Sequence, residues 1–223
     1  MPFQMALDEL FFDSHIQELR PTILRFYYAS EPWISAGYSF RSARDLQKSS
    51  VVLENTGIPV CRRPTGGGCV LHGADLTFSI IARYAPDGDA LNSVRTSYGK
   101  IHEGVKMGLG KLGFNADFYT SRDALPQGKD CFRSPVVSDL SWRGCKIAGG
   151  AQKRSRGVLL HQESIRVPPR VERAALARAV TAGLETVFGV SIGAADFDPR
   201  LFFQAQQKAL LIDGYPWKNS ATI

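Results

Sequence analysis

Val60-Cys-Arg-Arg-Pro-Thr-Gly-Gly-Gly-Cys-Val-Leu-His72, followed closely by Leu76-Thr-Phe-Ser-Ile-Ile-Ala-Arg83, sets the fold class of this chain. A strand-like run at 60–63 is cut by Pro64 and three glycines, and two further strand-like runs follow at 69–72 and 76–83. Upstream, residues 22–28 and 33–38 are rich in branched and aromatic side chains and read as two more strands, joined as a hairpin or meander. Downstream, strands are expected at 116–120, 136–142, 145–148 and 157–167. Helical spacing appears at 2–19, where Met5, Leu7, Leu10, Phe11, Ile16 and Leu19 recur among acids. It appears again at 92–113, where Val94, Tyr98, Ile101, Val105, Leu109 and Leu112 step by three and four. Ser42 is placed to cap a short helix running to about Asn55, and helices at about 170–188 and 199–212 close the chain. Strands in succession with helices before, between and after them predict an α+β fold, a mixed and largely antiparallel sheet flanked by helices. No linker or repeat divides the 223 residues, so one domain over 1–223 is expected, with 190–223 as a small helical appendage. Residues 121–135 lack periodicity and read as an exposed loop.

Composition narrows the function classes. With 44% apolar and 22% charged residues the chain is neither disordered, collagenous nor coiled coil. No apolar run approaches the roughly 20 residues of a membrane helix. The N-terminal segment carries acids where a signal peptide carries bases, so a cytoplasmic protein is expected. Four cysteines, at 61, 69, 131 and 145, form no C-x-x-C pair, which argues against a zinc knuckle or dithiol centre, and no metal site is expected. The net charge of +6 suits an acidic partner. No basic run or nucleic-acid motif appears, and small acidic carrier proteins fit the charge as well as nucleic acid does.

Two segments carry chemistry. Around the three glycines at 66–68, backbone N–H groups can approach a ligand closely while Arg62 and Arg63 supply fixed charge. As bare physics, a flexible hairpin turn accounts for the glycines equally well. The second segment is Gly144-Cys-Lys-Ile-Ala-Gly-Gly-Ala-Gln-Lys-Arg154, where Lys146 sits among small residues and can present its ammonium to a carbonyl or phosphate oxygen. Standing alone, it reads as a solvated strand lysine before a turn.

Together the segments resemble the biotin/lipoate protein ligase superfamily, in which Arg-Arg-x-(Ser/Thr)-Gly-Gly-x-x-Val-x-His and a later Lys-(Val/Ile)-x-Gly-x-Ala line one acyl pocket. Met5-Ala-Leu-Asp-Glu9, Ile23-Leu-Arg-Phe-Tyr27, Ser35-Ala-Gly-Tyr38, Leu76-Thr-Phe-Ser79 and Tyr215-Pro-Trp-Lys-Asn219 agree with it. Asp130-Cys131-Phe132, fifteen residues before Lys146, is similar to the cysteine-dependent octanoyltransferase and lipoyl amidotransferase branch. The resemblance implies a ligase-like catalytic fold, Cys131 as nucleophile and Lys146 as its activator. It also implies a substrate site of Arg63, Thr65, Gly66, Gly67, Gly68, Val70, His72, Gly149, Gln152, His161 and Ser164. His161-Gln-Glu-Ser164 differs from the family's usual Gln-His-Gly-Ser or His-His-Gly-Thr, and Gly73 stands where relatives often place Asp.

The expected reaction moves an octanoyl group from an acyl carrier protein, or from another lipoyl-domain protein, through a Cys131 thioester to the lysine of a lipoyl domain. Acceptors of that kind are the glycine-cleavage H protein and a 2-oxoacid dehydrogenase E2 subunit. No cofactor is required for it. A thiol with an ordinary pKa of about 8.5 is mostly protonated at neutral pH, and a nearby ammonium raises its thiolate fraction. His72 is a candidate proton relay or a packed histidine. Cys61, Cys69 and Cys145 are assigned to packing. Two alternatives stand beside this reading: a lipoate ligase using ATP and Mg, with Arg63 and the glycines on the acyl-adenylate phosphate, and a non-catalytic acyl- or carrier-binding protein.

Overall fold

The apolar run Leu76–Arg83 (β5) is buried at seven of its eight positions, because strands flank both its edges and helices cover both its faces. Its neighbours are β1 (Ile23–Tyr27) and β9 (Val158–Ile165), both antiparallel. The computed structural model describes residues 1–85, 89–120, 136–168, 171–196 and 198–213. Residues 121–135, which carry Cys131 and the expected exposed loop, lie outside the described residues, as do residues 215–219. Beyond β9 the sheet continues through β8 (Cys145–Ser155) and β7 (Leu140–Trp142) to β6 (Asp117–Phe118), giving the order β1-β5-β9-β8-β7-β6.

Strand alternation divides the core. Phe78, Ile80 and Ala82 of β5 with Leu159 and Ile165 of β9 face α4 (Val94–Lys111) and α5 (Arg173–Phe188). Ile81, Val158 and Leu160 face the other way, onto Ala6, Leu7, Phe11 and Phe12 of α1 (Pro2–Gln17). The C-terminal helix α6 (Pro199–Asp213) lies against α1, with Ala205 fully buried and Lys208 Nζ 3.0 Å from Glu9 Oε2. A smaller sheet, β3 (Val60–Arg62), β2 (Trp33–Ala36) and β4 (Cys69–His72) in the order β3-β2-β4, packs Ile34, Ala36 and Cys69 against Phe40 and Leu46. Together the sheets make the expected mixed, largely antiparallel α+β architecture.

Several local expectations are corrected. Strands β1 and β2 form no hairpin: β1 pairs with β5 in the large sheet and β2 belongs to the small one. A long, doubly covered apolar strand buries more of β1 than a sequence neighbour preceded by Pro32 could. Nor do the three glycines turn a hairpin, because β2 lies between β3 and β4, parallel to the first and antiparallel to the second. Residues 136–139 form a turn instead of the start of a strand. Ser138 has φ 76°, and Asp139 Oδ2 accepts the Val136 N–H at 2.7 Å. Strand β8 runs through Gly149-Gly150 to Ser155, where 145–148 was expected, and Arg156 and Gly157, with φ 49° and 74°, turn it into β9. The expected helix 42–55 is two short helices, α2 (Ala43–Leu46) and α3 (Ser50–Glu54). The first has the expected cap, Ser42 Oγ accepting the Asp45 N–H at 3.2 Å.

Helices α4 and α5 meet through glycines, which brings their backbones together. A Cβ on Gly183 would stand 2.1 Å from the carbonyl oxygen of Gly104, and one on Gly108 2.5 Å from that of Ala179. Backbone on both sides cannot yield, so Gly183→Ala is expected to lose about 1–3 kcal/mol despite the better helix propensity of alanine. Gly99→Ala in α4 meets no atom within 4 Å and is expected to gain about 0.4–1 kcal/mol. Thermal or urea unfolding of the two variants checks the opposite signs. Among the described residues, no helix is long and apolar enough to cross a membrane.

Candidate active site

A cavity of about 390 Å³ lies between the two sheets. Its wall takes Ser35, Val70 and His72 from the small sheet, Arg63, Gly67 and Gly68 from the connection between β3 and β4, Thr77 from β5 and Tyr98 from α4. Lys146, Gly149 and Gly150 of β8 and Gln162, Glu163 and Ser164 of β9 complete the far side.

The glycine segment crosses the end of β2 and is held there by hydrogen bonds. Arg63 N donates to Ala36 O at 2.9 Å and Tyr38 N to Thr65 O at 2.8 Å. The crossing needs a bare backbone, since a Cβ on Gly37 would fall 2.0 Å from Gly67 O. The buried guanidinium of Arg63 donates to Ser35 O at 3.0 Å, to Ser35 Oγ at 3.2 Å and to Gly66 O, so this charge shapes the loop from within. Thr65 Oγ1 donates to Gln162 Oε1 at 2.7 Å, and Gln162 Nε2 donates to Asp8 Oδ2 at 2.7 Å. Asp8, fully buried on α1, also accepts from Arg25, Tyr27 and Ser79. One carboxylate thereby ties α1, β1, β5 and β9 to the loop, and buried polar groups joined in this way are held in one arrangement.

Lys146 reaches the cavity from β8 with its side chain 6% exposed, and its ammonium donates to Asp139 Oδ2 at 2.6 Å. Asp139 is wholly buried and also accepts from Tyr98 OH, which in turn accepts the Gly150 N–H at 3.0 Å. Burial, then the charges of Glu163 and Asp139, push the Tyr98 phenol well above its ordinary pKa, so it stays a donor. Gly149 is bare because a Cβ there would sit 2.4 Å from Lys146 Nζ.

His72 is engaged through both ring nitrogens, Nε2 with Ser35 Oγ at 2.8 Å and Nδ1 with Asp75 Oδ2 at 2.7 Å. Asp75 also accepts from Ser164 Oγ at 2.6 Å and from Gly73 N at 3.0 Å. Burial alone would raise the Asp75 pKa, but His72, Ser164 and the Gly73 amide outweigh it and hold the carboxyl well below the usual range. A depressed folded-state pKa means that the unfolded chain takes up the proton first as pH falls. The stabilisation is therefore complete above the unfolded value of about 3.9 and declines below it. The stability difference between wild type and Asp75→Asn is expected to be greatest at neutral pH and to narrow below about pH 4, as measured by urea unfolding across pH. A gap that widens in acid would contradict this assignment.

Behind the cavity wall, His102 Nε2 and His161 Nε2 both meet Glu163 Oε2, at 2.8 and 2.9 Å, and all three side chains are buried. Burial opposes the charge on Glu163, yet the two histidines outweigh it and keep the carboxyl well below its ordinary pKa. Burial also disfavours the His102 cation, but Glu163 and the Ser138 carbonyl raise its pKa above the ordinary value. For His161 burial dominates and the pKa falls.

The family model of the lipoyl protein ligase A/B catalytic domain matches residues 1–186. The chain belongs to that family. Among its relatives, the Octanoyltransferase LipM of Kyrpidia tusciae is 37% identical over 169 residues, covering 73% of this chain and 61% of the relative. The Octanoyltransferase LipM of Bacillus subtilis is 36% identical over 171 residues, covering 73% and 60%. The chain thus spans about three fifths of the length of these curated relatives. Among solved structures, protein Ta0514 of T. acidophilum with bound lipoic acid superposes with a TM-score of 0.76 at 20% identity, over 97% of this chain and 92% of that one. A lipoate-protein ligase A bound with ATP gives 0.73 at 21%, over 93% and 89%. These likenesses show the lipoyl ligase fold.

Within that fold, the residues expected at the site separate into two groups. Arg63, Gly67, Gly68, Val70, His72, Lys146, Gly149 and Ser164 line the cavity. Thr65, Gly66, Gln152 and His161 do not. Thr65 is buried on Gln162, Gly66 gives its carbonyl to Arg63, and Gln152 bonds Ser97 and His161 from behind the wall. Cys131 lies outside the described residues. Cys61 and Cys69 are buried in packing, whereas Cys145 is exposed, correcting its assignment to the core, because it follows the Arg143-Gly144 turn at the open end of the sheet. Asp139, Tyr98, His102, Asp8 and Asp75 escaped the sequence reading. The three-and-four periodicity places Tyr98 on the core-facing side of α4 but is blind to its hydroxyl.

Proposed function

We propose that the chain transfers an octanoyl group from an acyl-carrier thioester to the lysine of a lipoyl-domain protein. The LipM relatives at 32–39% identity support this reading. The observation that carries it is Lys146, a buried cation fixed by Asp139 at the wall of a cavity of about 390 Å³. Cys131, in its Cys-Phe context fifteen residues before Lys146, is the proposed nucleophile. Its thiolate attacks the donor carbonyl. A new C–S bond forms to Cys131, the C–S bond to the carrier breaks, and the carrier thiolate leaves and takes a proton. The neutral amine of the acceptor lysine then attacks the same carbonyl, the C–N bond forms, the C–S bond to Cys131 breaks so that Cys131 departs as thiolate, and the nitrogen releases one proton to solvent, which balances the proton taken up by the carrier thiolate. Thioester exchange is close to thermoneutral and the amide is the more stable product, so the second step drives the sequence. Lys146 faces the oxygen that becomes negative in both attacks.

In the ligase alternative Arg63 would hold an adenylate phosphate. Its guanidinium is spent on Ser35 and Gly66, which favours transfer from a preformed thioester. Cytoplasmic location, the acyl carrier protein as donor and the acceptors, an H protein or an E2 lipoyl domain, are part of the same proposal. The test is intact-mass analysis of a lipoyl domain mixed with the protein and octanoyl-loaded carrier, with and without ATP and magnesium. Equal octanoylation in both arms is expected; strict dependence on ATP would assign the protein to the ligases.

A further inference from the structure

Glu163 and its two histidines do more than the acyl chemistry asks of them. His102 comes from α4 and His161 and Glu163 from β9, and the ligand-capable atoms of all three lie within 4.8 Å of one another. Each imidazole is backed on its far side. His102 Nδ1 meets the Ser138 carbonyl and His161 Nδ1 meets the Gln152 side-chain amide, which leaves the two Nε2 atoms aimed at one point beside the carboxylate. Outer partners of this kind fix the orientation of metal-binding histidines.

Two further observations point to a ligand. Glu163 Oε1 is buried and has no hydrogen-bond partner among the described residues, and an unmet buried acceptor is unfavourable. The space around the carboxylate is kept open by Gly150, where a Cβ would stand 2.3 Å from Glu163 Oε2 and 2.6 Å from His161 Cε1. We infer that His102, His161 and Glu163 form a binding site for one divalent metal ion of the zinc class. Two imidazoles and one carboxylate suit zinc, cobalt, nickel or ferrous iron, whereas magnesium and calcium take oxygen ligands. The ion displaces the proton on His102 Nε2, which is released to solvent, and the proton of His161 moves to Nδ1, where the Gln152 side-chain amide, which now faces the ring through Nε2, turns to accept it through Oε1. Glu163 also lines the cavity, so a cavity water completes the coordination. This inference stands independently of the acyl-transfer reading, because it concerns binding and not turnover.

The test titrates the full chain, first stripped with chelator, with cobalt(II) alone and then with zinc. One equivalent of cobalt is expected to bind with ligand-field bands in the visible region and without a thiolate-to-cobalt charge-transfer band, and zinc should displace it and raise the melting temperature. Glu163→Gln and His102→Asn are each expected to weaken binding by about 100-fold or more, while Gln152→Glu, which offers His161 Nδ1 a carboxylate, tightens it by about 10-fold. A cluster held only by its own hydrogen bonds would not respond to Gln152→Glu. No uptake, a thiolate band that places the metal on cysteine, or uptake unchanged in Glu163→Gln would overturn the site. Should neither ligand variant fold, the wild-type cobalt spectrum and the Gln152→Glu titration decide alone.

Discussion

Cys131→Ser is expected to leave no octanoyl adduct that hydroxylamine can release, and to lower transfer by on the order of 10⁴ or more, as loss of a catalytic nucleophile does. A serine hydroxyl without a dedicated base is a poor nucleophile at neutral pH, whereas a thiol a little above neutrality is already partly ionised. Mass mapping of the acylated peptide makes the test site-specific. Cys61 and Cys69 are sealed in the core, so Cys145, exposed at the start of β8, is the competitor for the acyl group. A stable octanoyl thioester on Cys145, retained in Cys131→Ser, would move the nucleophile and defeat the proposed site.

Removal of the Lys146 ammonium is expected to slow octanoyl transfer by about 10²–10³, the range seen when one oxyanion donor is lost. The single variant Lys146→Ala confounds two effects, because it leaves Asp139 buried and unpaired at a stability loss of about 3–5 kcal/mol. The double variant Lys146→Met, Asp139→Asn separates them. Methionine keeps the stem beside Gly149, and the neutral amide still accepts the Val136 N–H, so most of the stability should return while the rate does not. Alkylation of Cys131 across pH completes the picture. Its apparent pKa should rise in the double variant, with transfer partly recovered in alkali. Identical alkylation profiles in wild type and double variant would show that Lys146 does not activate the thiol.

Much of this molecule is legible one element at a time. The three-and-four steps of 92–113 become α4, capped by Ser93, whose Oγ accepts the Thr96 N–H at 3.1 Å. The largely apolar run at 76–83 becomes the second strand of the large sheet, buried on both faces. The glycine run and Lys146 are each compatible with an ordinary turn or a solvated strand lysine by residue type, and only their joint resemblance to the ligase superfamily implied a shared pocket. What the sequence by itself determined, then, is element type and the apolar faces, which depend on spacings of a few residues, together with the two segments whose resemblance to the ligase superfamily implied a common pocket.

The tertiary structure decided the rest. Local signals marked Gly149-Gly150 as the end of a strand, but β9 pairs straight through them, and the absent Cβ atoms make room for Lys146 and Glu163. Proximity in sequence suggested that β1 pairs β2, yet the buried partner lies across the chain in β5. The groups that set the site's charge are also distant in sequence: Asp8 reaches Gln162, His102 reaches Glu163, and Tyr98 reaches Asp139. Periodicity records which face of an element is buried. A polar side chain on that face is identified only by the partner that satisfies it, and long-range packing chooses that partner.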